Sequence, residues 1–387
     1  MLAVPAAQSA SKTASAVLQG WSVTASGAMA QAMEAEEATS SGLASVRCGE
    51  PGSDLWFVGP GQQSGAAQIQ LDLMNVDTLA ASVDVSVVTD AGPAQASNDT
   101  GITVPPDETV TESLSSLAAG SSVVAIEVRA SIGRVAADVS ESSAQGGTAS
   151  WLPSTALPST QLVIPGVAPS GSAARLYLVV PGSSSAQVSV LAITSQGQYR
   201  PFGTQTVDLP GDSASYVPLT PLGGAAAALE LAANVPVAAA VLVPGGVLGA
   251  FTAATAPISE QAIVAGNTAA SGLSTAIVLS APAGPARVLL TETAPAAGTS
   301  TAAGTGSQTV TVPADRTLTV PEAAPPGAGR GSAFAIVITP LAGSGPLYAA
   351  RVGTQGQGDV VSIIPAVSAL TTISLPPVQD SYAAISP

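Results

Sequence analysis

The sequence predicts an all-β chain of three tandem immunoglobulin/fibronectin-like β-sandwich units. Three observations lead there: one order of features recurs three times at a near-constant interval, apolar residues alternate with polar ones at the period of a strand, and 31 prolines with 39 glycines interrupt every candidate helix.

The recurrence begins after Cys48. An apolar segment ends in glycine at Gly61, Gly166 and Gly266, in steps of 105 and 100. An alternating segment follows, with Ile69, Leu71 and Leu73 in the first unit, Leu176 and Leu178 in the second, and Ile277 and Leu279 in the third. Its partner is equally regular: Val83, Val85 and Val87, then Val188 and Val190, then Val288 and Leu290. A turn glycine comes next, at Gly92, Gly197 and Gly298, and then an apolar residue before proline, at Val104-Pro105, Leu209-Pro210 and Val312-Pro313. Each unit closes on its clearest alternation, Val124, Ile126 and Val128, Leu229 and Leu231, and Phe334, Ile336 and Ile338, with a small-residue strand after it at 135–139, 237–243 and 348–352. Period-2 alternation predicts one buried and one wet face per strand. The alanines of 224–233 would tolerate a short helix, but register with the repeat favours a strand.

These markers divide the chain into a signal-peptide remnant and Ala/Ser-rich stalk over 1–47, units over 48–150, 159–254 and 260–367, and a tail over 368–387. The short proline-bearing segments between units predict semi-rigid stacking. Residues 1–10 have the small-residue spacing of a signal-peptide cleavage region without its basic start, which predicts either a start upstream of Met1 or a plain disordered terminus. No run of 18 apolar residues occurs to cross a membrane as a helix.

Composition excludes more than it selects. Aromatics make up 3% of the chain against 46% hydrophobic residues, so the cores must be filled with small and branched aliphatic side chains. A net charge of −15, with Lys12 the only lysine, argues against nucleic acid and anionic lipid surfaces as partners. A charged fraction of 9% leaves solubility to Ser, Thr, Gln and the acidic excess, a surface suited to an extracytoplasmic location. The absence of histidine removes Ser-His-Asp and Cys-His machinery and His-containing zinc sites together. Cys48 is alone, so it is free, modified or paired with another chain.

No residue stands out as catalytic, cofactor-binding or metal-ligating, and the chain reads as a non-enzyme. Asp72, Asn75 and Asp77 offer oxygen ligands, but their spacing is not that of an EF-hand loop, and strand and turn roles suit them better. Gly223-Gly224, Gly245-Gly246 and 327–331 lack the lysine and hydroxyl of a phosphate loop and read as turns. Asn98-Asp99-Thr100 is a short glycosylation-type sequence with little weight. Trp56-Phe57 is the densest aromatic spot, placed in a core or, alternatively, on an exposed docking patch.

Cys48-Gly-Glu-Pro51, Leu55-Trp-Phe-Val-Gly-Pro-Gly61, Leu71-Asp-Leu-Met-Asn75, Ser131-Ile-Gly-Arg-Val-Ala-Ala137, Leu242-Val-Pro-Gly-Gly246 and Gly343-Ser-Gly-Pro-Leu-Tyr-Ala-Ala-Arg351 together resemble an uncharacterised actinobacterial family known only as a domain of unknown function. The resemblance covers about 45–367. It implies an exported envelope protein, usually tethered by an N-terminal membrane helix, and no established activity. The expected function is therefore a non-enzymatic extracytoplasmic cell-envelope scaffold, whose partners are envelope proteins or wall glycans and whose only membrane contact is a missing N-terminal anchor. The alternative is a binding module for a cell-wall glycan or small solute, which predicts an exposed aromatic or carboxylate cluster near Trp56 or Tyr199.

Overall fold

A computed structural model describes residues 33–369, apart from 39–43, 65, 95–99, 144–148, 170–172, 221, 223, 246–248, 269–272, 295–304, 323, 327, 329–332 and 357–358. The chain is built almost wholly from strands. A hairpin, β1 (Glu36–Ala38) and β2 (Ser45–Arg47), comes first. Then follow β3 (Asp54–Pro60), β4 (Ala66–Met74), β5 (Ala81–Thr89), β6 (Gly92–Ala94), β7 (Ile102–Val104), β8 (Thr109–Ser113), β9 (Val123–Ile132), β10 (Ala136–Ser143) and β11 (Ala149–Leu152). The middle stretch holds β12 (Ser159–Val167), β13 (Arg175–Val180), β14 (Ala186–Thr194), β15 (Gly197–Tyr199), β16 (Val207–Leu209), β17 (Ser213–Pro218), β18 (Ala227–Val243) and β19 (Ala250–Ala253). The last holds β20 (Ala262–Thr268), β21 (Leu273–Ala281), β22 (Ala286–Thr293), β23 (Gly306–Val312), β24 (Arg316–Glu322), β25 (Ala333–Pro340), β26 (Tyr348–Gln355) and β27 (Asp359–Pro365).

One antiparallel pairing order recurs three times. Sheet I is β11-β10-β4-β8 and sheet II is β3-β9-β5 with β6 and β7 at its edge. The second pair repeats this order, as sheet III (β19-β18-β13-β17) and sheet IV (β12-β18-β14 with β15 and β16), and the third as sheet V (β27-β26-β21-β24) and sheet VI (β20-β25-β22-β23). The long β18 serves both of its sheets, pairing with β14 up to Ala233 and with β13 from Ala238. Pro236, which has no N–H to donate, sits at the crossing. Three aspartates, Asp107, Asp212 and Asp315, take the left-handed conformation (φ 56, 50 and 57°) two residues after Pro105, Pro210 and Pro313, so even this turn is repeated.

Register assigns each side chain to a face. In the first pair Phe57, Val85, Val87, Ile126 and Val128 face Leu71, Leu73 and Val139 across the core. The other face of sheet II carries Trp56, Val58 and Ala125, and these are buried in the same cluster as Tyr177, Val179, Ala214, Ala238, Ala240 and Phe251 from sheet III. A second seam lies between sheets IV and V, where Val278, Ala350, Val352 and Ile363 join the core of the second pair. The six sheets are therefore stacked in series, I to VI. Sheets II to V bury side chains on both faces, a correction to the expectation of one wet face per strand. Alanine dominates sheet III's share of the first seam because a side chain that short lets two sheet surfaces close on one another without voids.

Gly166 shows how tight the second seam is. It has φ of 73° in β12, and a Cβ there would collide with Cβ of Ala350 on sheet V. Gly166→Val combines left-handed strain with that collision and is expected to remove about 3 kcal/mol of stability. Urea unfolding checks it; an unchanged midpoint would mean the seam is loose.

Where the sequence predicts an Ala/Ser-rich stalk, the described residues of 33–47 form a docked hairpin. Strand β2 packs on β27 of sheet V and on β11 of sheet I. Glu36 and Arg351 form a two-pronged ion pair at 2.7 and 2.9 Å, both side chains buried. Arg351 also donates to the Ala265 carbonyl at 2.6 Å, to Ser45 Oγ at 2.8 Å and to Ser362 Oγ at 3.2 Å. The hairpin thus straps the first sheet pair to the third.

Candidate functional site

A cleft of about 590 Å³ opens at the seam between the second and third sheet pairs. One wall is the outward face of sheet V, with Ser274, Ala276, Thr317, Thr319 and Thr354; the other comes from the ends of the second pair, with Pro169, Ser195 and 224–226. Alternation places these residues there: Ala276, Val278, Thr317 and Thr319 fall on the face opposite Ile277 and Leu279, which fill the third core. Among the described residues, no charged or aromatic side chain lines the cleft. Its chemistry is that of hydroxyl groups over an apolar floor, suited to holding a neutral ligand. It supplies no acid, base or nucleophile of raised reactivity.

Carboxyl groups gather elsewhere. Glu141 follows Ala137 and Val139 on the inward face of sheet I; it is buried with Oε1 unpartnered, and burial pushes its carboxyl up to about 8. At one end of the third pair, Glu322 of sheet V and Glu292 of sheet VI converge between the sheets. Burial first, then Glu292, raise Glu322 to about 8. Two acids converge here, then, but neither lines the cleft. On the outward face of sheet I, Asp138 lies directly opposite Asp72, and burial, Glu37 and Asp72 push Asp138 to about 7. Glu34 is raised to about 7 by burial against the opposing pull of Arg47, which it binds at 2.8 Å. Among the described residues, no group of three acidic or Cys ligands has the geometry of a metal site.

Cys48 stands beside this acidic patch. Burial, then Asp138, Glu37, Glu34 and Glu36, push its thiol to about 12, so it holds its proton and is a poor nucleophile at neutral pH. Native Cys48 is expected to resist iodoacetamide at pH 8 while the urea-unfolded chain is alkylated; equal rates in the two states would contradict the burial seen here.

The residues singled out in the sequence take structural positions. Asn75 is fully buried and donates to the carbonyls of Leu79 (2.8 Å) and Val104 (3.0 Å), tying a turn to β7. Asp77 pairs with Arg134 at 2.9 Å, and Asp72 accepts from Thr111 at 2.6 Å and from Gln70, so the three do not converge on an ion. Phe57 lies in the first core, and Trp56, 4% exposed, lies in the first seam with Nε1 donating to Asp54 at 2.8 Å. Neither ring is an exposed patch. Tyr199 is 39% exposed and Phe202, three residues on, 81% exposed. Gly224 lines the cleft, Gly245 packs against the Val360 carbonyl, and 98–99 with much of 327–331 fall outside the described residues. Glu141, Glu292 and Arg351 escaped the sequence reading although each stands two positions after a core residue of its own strand. No described helix is long and apolar enough to cross a membrane.

No curated protein and no solved structure matches the chain. A family model does match, over residues 5–323, from before the strapping hairpin into the third sheet pair. That span is most of the chain, and the protein belongs to this family of unknown function (DUF5719).

Proposed function

We propose that this protein is a non-enzymatic scaffold of the extracytoplasmic cell envelope, in which three tandem immunoglobulin-like sandwich units, over 48–150, 159–254 and 260–367, act as one stiff spacer between other envelope components. The observation that carries this reading is the pair of seams: Trp56, Val58 and Ala125 against Tyr177 and Ala240, and Gly166 against Ala350, pack as core and leave no swinging linker. Six layers about 10 Å apart give a body roughly 50 Å between its terminal sheets. Support for the location comes from composition: a net charge of −15 with 9% charged residues. The test is protease treatment of intact cells of the source organism, followed by in-cell crosslinking. The scaffold reading expects the protein to be accessible from outside and crosslinked to envelope proteins. Protection with the cytosolic proteins, or an accessible protein that crosslinks to nothing, would contradict it.

The hydroxyl-lined cleft favours a second reading, a binding module for a wall glycan or small neutral solute. Titration with solubilised wall-glycan fragments should then saturate, and Ala276→Trp, which fills the cleft, should abolish binding. Binding unchanged by that substitution would place the ligand elsewhere.

A further inference from the structure

We propose that the outward face of sheet VI is a self-association surface whose occupant is the same face of a second copy, related by a two-fold axis. The argument comes from the stacking series and stands apart from the scaffold reading. Sheets II, IV and VI are built from equivalent strands in equivalent order. The outward face of sheet II is covered by sheet III and that of sheet IV by sheet V. Sheet VI is the third member of the series; strand β1 reaches its β20 edge, where Glu36 lies against Gly266, while the outward side chains of its central strands β22 and β25 stay partly exposed.

Register shows what that face offers. Ala262, Val264, Phe334, Ile336, Ile338, Val288 and Leu290 point into the third core. The outward positions are therefore Ala335 and Val337 on β25, Leu289 and Thr291 on β22, and Thr309 and Thr311 on β23, with Ile263 on β20 on the same side but already buried at 8% exposure. Alanine, valine, leucine and threonine on the central strands make an apolar, hydroxyl-rimmed surface. In a chain with 25 acidic residues, none lies among these outward positions, and Arg287 is the one charge on that side of β22.

The face selects its partner by exclusion. The opposite end of the stack, sheet I, carries Asp72 and Asp138 side by side outward, with Gln70 beside them. Head-to-tail stacking of sheet VI on sheet I would press Asp72 onto apolar side chains and desolvate it without a counter-charge, beside an Asp138 that is already held out of water. Two copies of sheet VI meeting across a two-fold axis oppose apolar to apolar and bring no carboxylate into the contact, a closed and self-complementary arrangement. Four strands about 4.8 Å apart and seven or eight residues long present about 450 Å² each, so the pair buries on the order of 900 Å², below the range of stable specific interfaces and in that of weak, reversible association. Two bodies of charge −15 repel, so dimerisation should tighten as salt rises.

Sedimentation equilibrium of the full chain between about 1 and 100 μM, at low and high salt, tests this. The proposal expects a monomer–dimer equilibrium with a Kd on the order of micromolar, tightened by salt, and shifted at least tenfold toward monomer by Val337→Arg and by Thr291→Arg. Both positions are partly exposed, so unchanged thermal melting of the variants confirms that they fold. A wild-type chain that stays monomeric over the whole range overturns the proposal. So does a dimer that both variants leave intact, or an open assembly growing beyond two copies.

Discussion

Glu141→Gln is expected to raise the stability of the protein at pH 8 by several kcal/mol and to leave it nearly unchanged at pH 4. The carboxyl titrates near 4.5 when the chain is unfolded and about 8 when folded, because burial disfavours its charged form. The folded state therefore binds this proton more tightly. The stabilisation is complete below the unfolded value and is lost as pH rises through the window from about 4.5 to 8, at roughly 1.4 kcal/mol per pH unit. Glutamine keeps the shape of the neutral acid and does not titrate, so the variant and the wild type diverge across that window. Glu322, raised to about 8, and Asp138, raised to about 7, have the same sign. The wild-type protein should thus melt at a higher temperature at pH 5 than at pH 8, the reverse of proteins whose carboxylates are held by cations. Asp77 opposes this weakly: Arg134 lowers its value, so its contribution is lost on acidification, but it is exposed. Melting curves of both proteins from pH 4 to 9 provide the check, and parallel curves would show that folding leaves the Glu141 carboxyl at its unfolded value.

Glu36→Ala is expected to remove about 3 kcal/mol, because it leaves the Arg351 guanidinium buried among the third pair's strands without its counter-ion. Breaking one half of a buried pair does more harm than removing both halves, so the double variant Glu36→Gln with Arg351→Met should recover part of the loss. The same change frees the strap. Limited proteolysis should then cut near β1 and β2 in Glu36→Ala under conditions where the wild type is intact. A wild-type cleavage pattern would mean that the hairpin is held by its packing on β11 and β27 and not by the ion pair.

Much of this architecture could be read from the residues, and the remainder failed for identifiable reasons. Val83, Val85 and Val87 or Phe334, Ile336 and Ile338 announce strands because one face of each meets a core. The threefold spacing carries through to the pairing order and even to the turns at Asp107, Asp212 and Asp315. The seams were hidden because a strand buried on both faces loses its alternation. The small-residue segment 237–243 reads as a bland apolar run, and nothing in Ala238 or Ala240 tells which distant strand will lie against it. The strap was hidden because Glu36 and Glu37 look like a solvated acidic cluster, while the partner that pulls Glu36 inward is Arg351, more than 300 residues away. Counting by twos along β10, β22 and β26 would have found Glu141, Glu292 and Arg351, since each shares a face with core side chains. The cleft had no such signal, because its serines and threonines become a site only when two sheet pairs meet.

Cooperativity of unfolding is the property that the seams determine most directly. If the faces joining sheets II to III and IV to V are packed as core, and the strap ties the first pair to the third, no pair can melt while its neighbours stay folded. Differential scanning calorimetry at pH 5 should therefore record one transition whose van't Hoff enthalpy equals the calorimetric enthalpy. Two or three resolved transitions, each carrying the enthalpy of a separate module of roughly a hundred residues, would contradict the account.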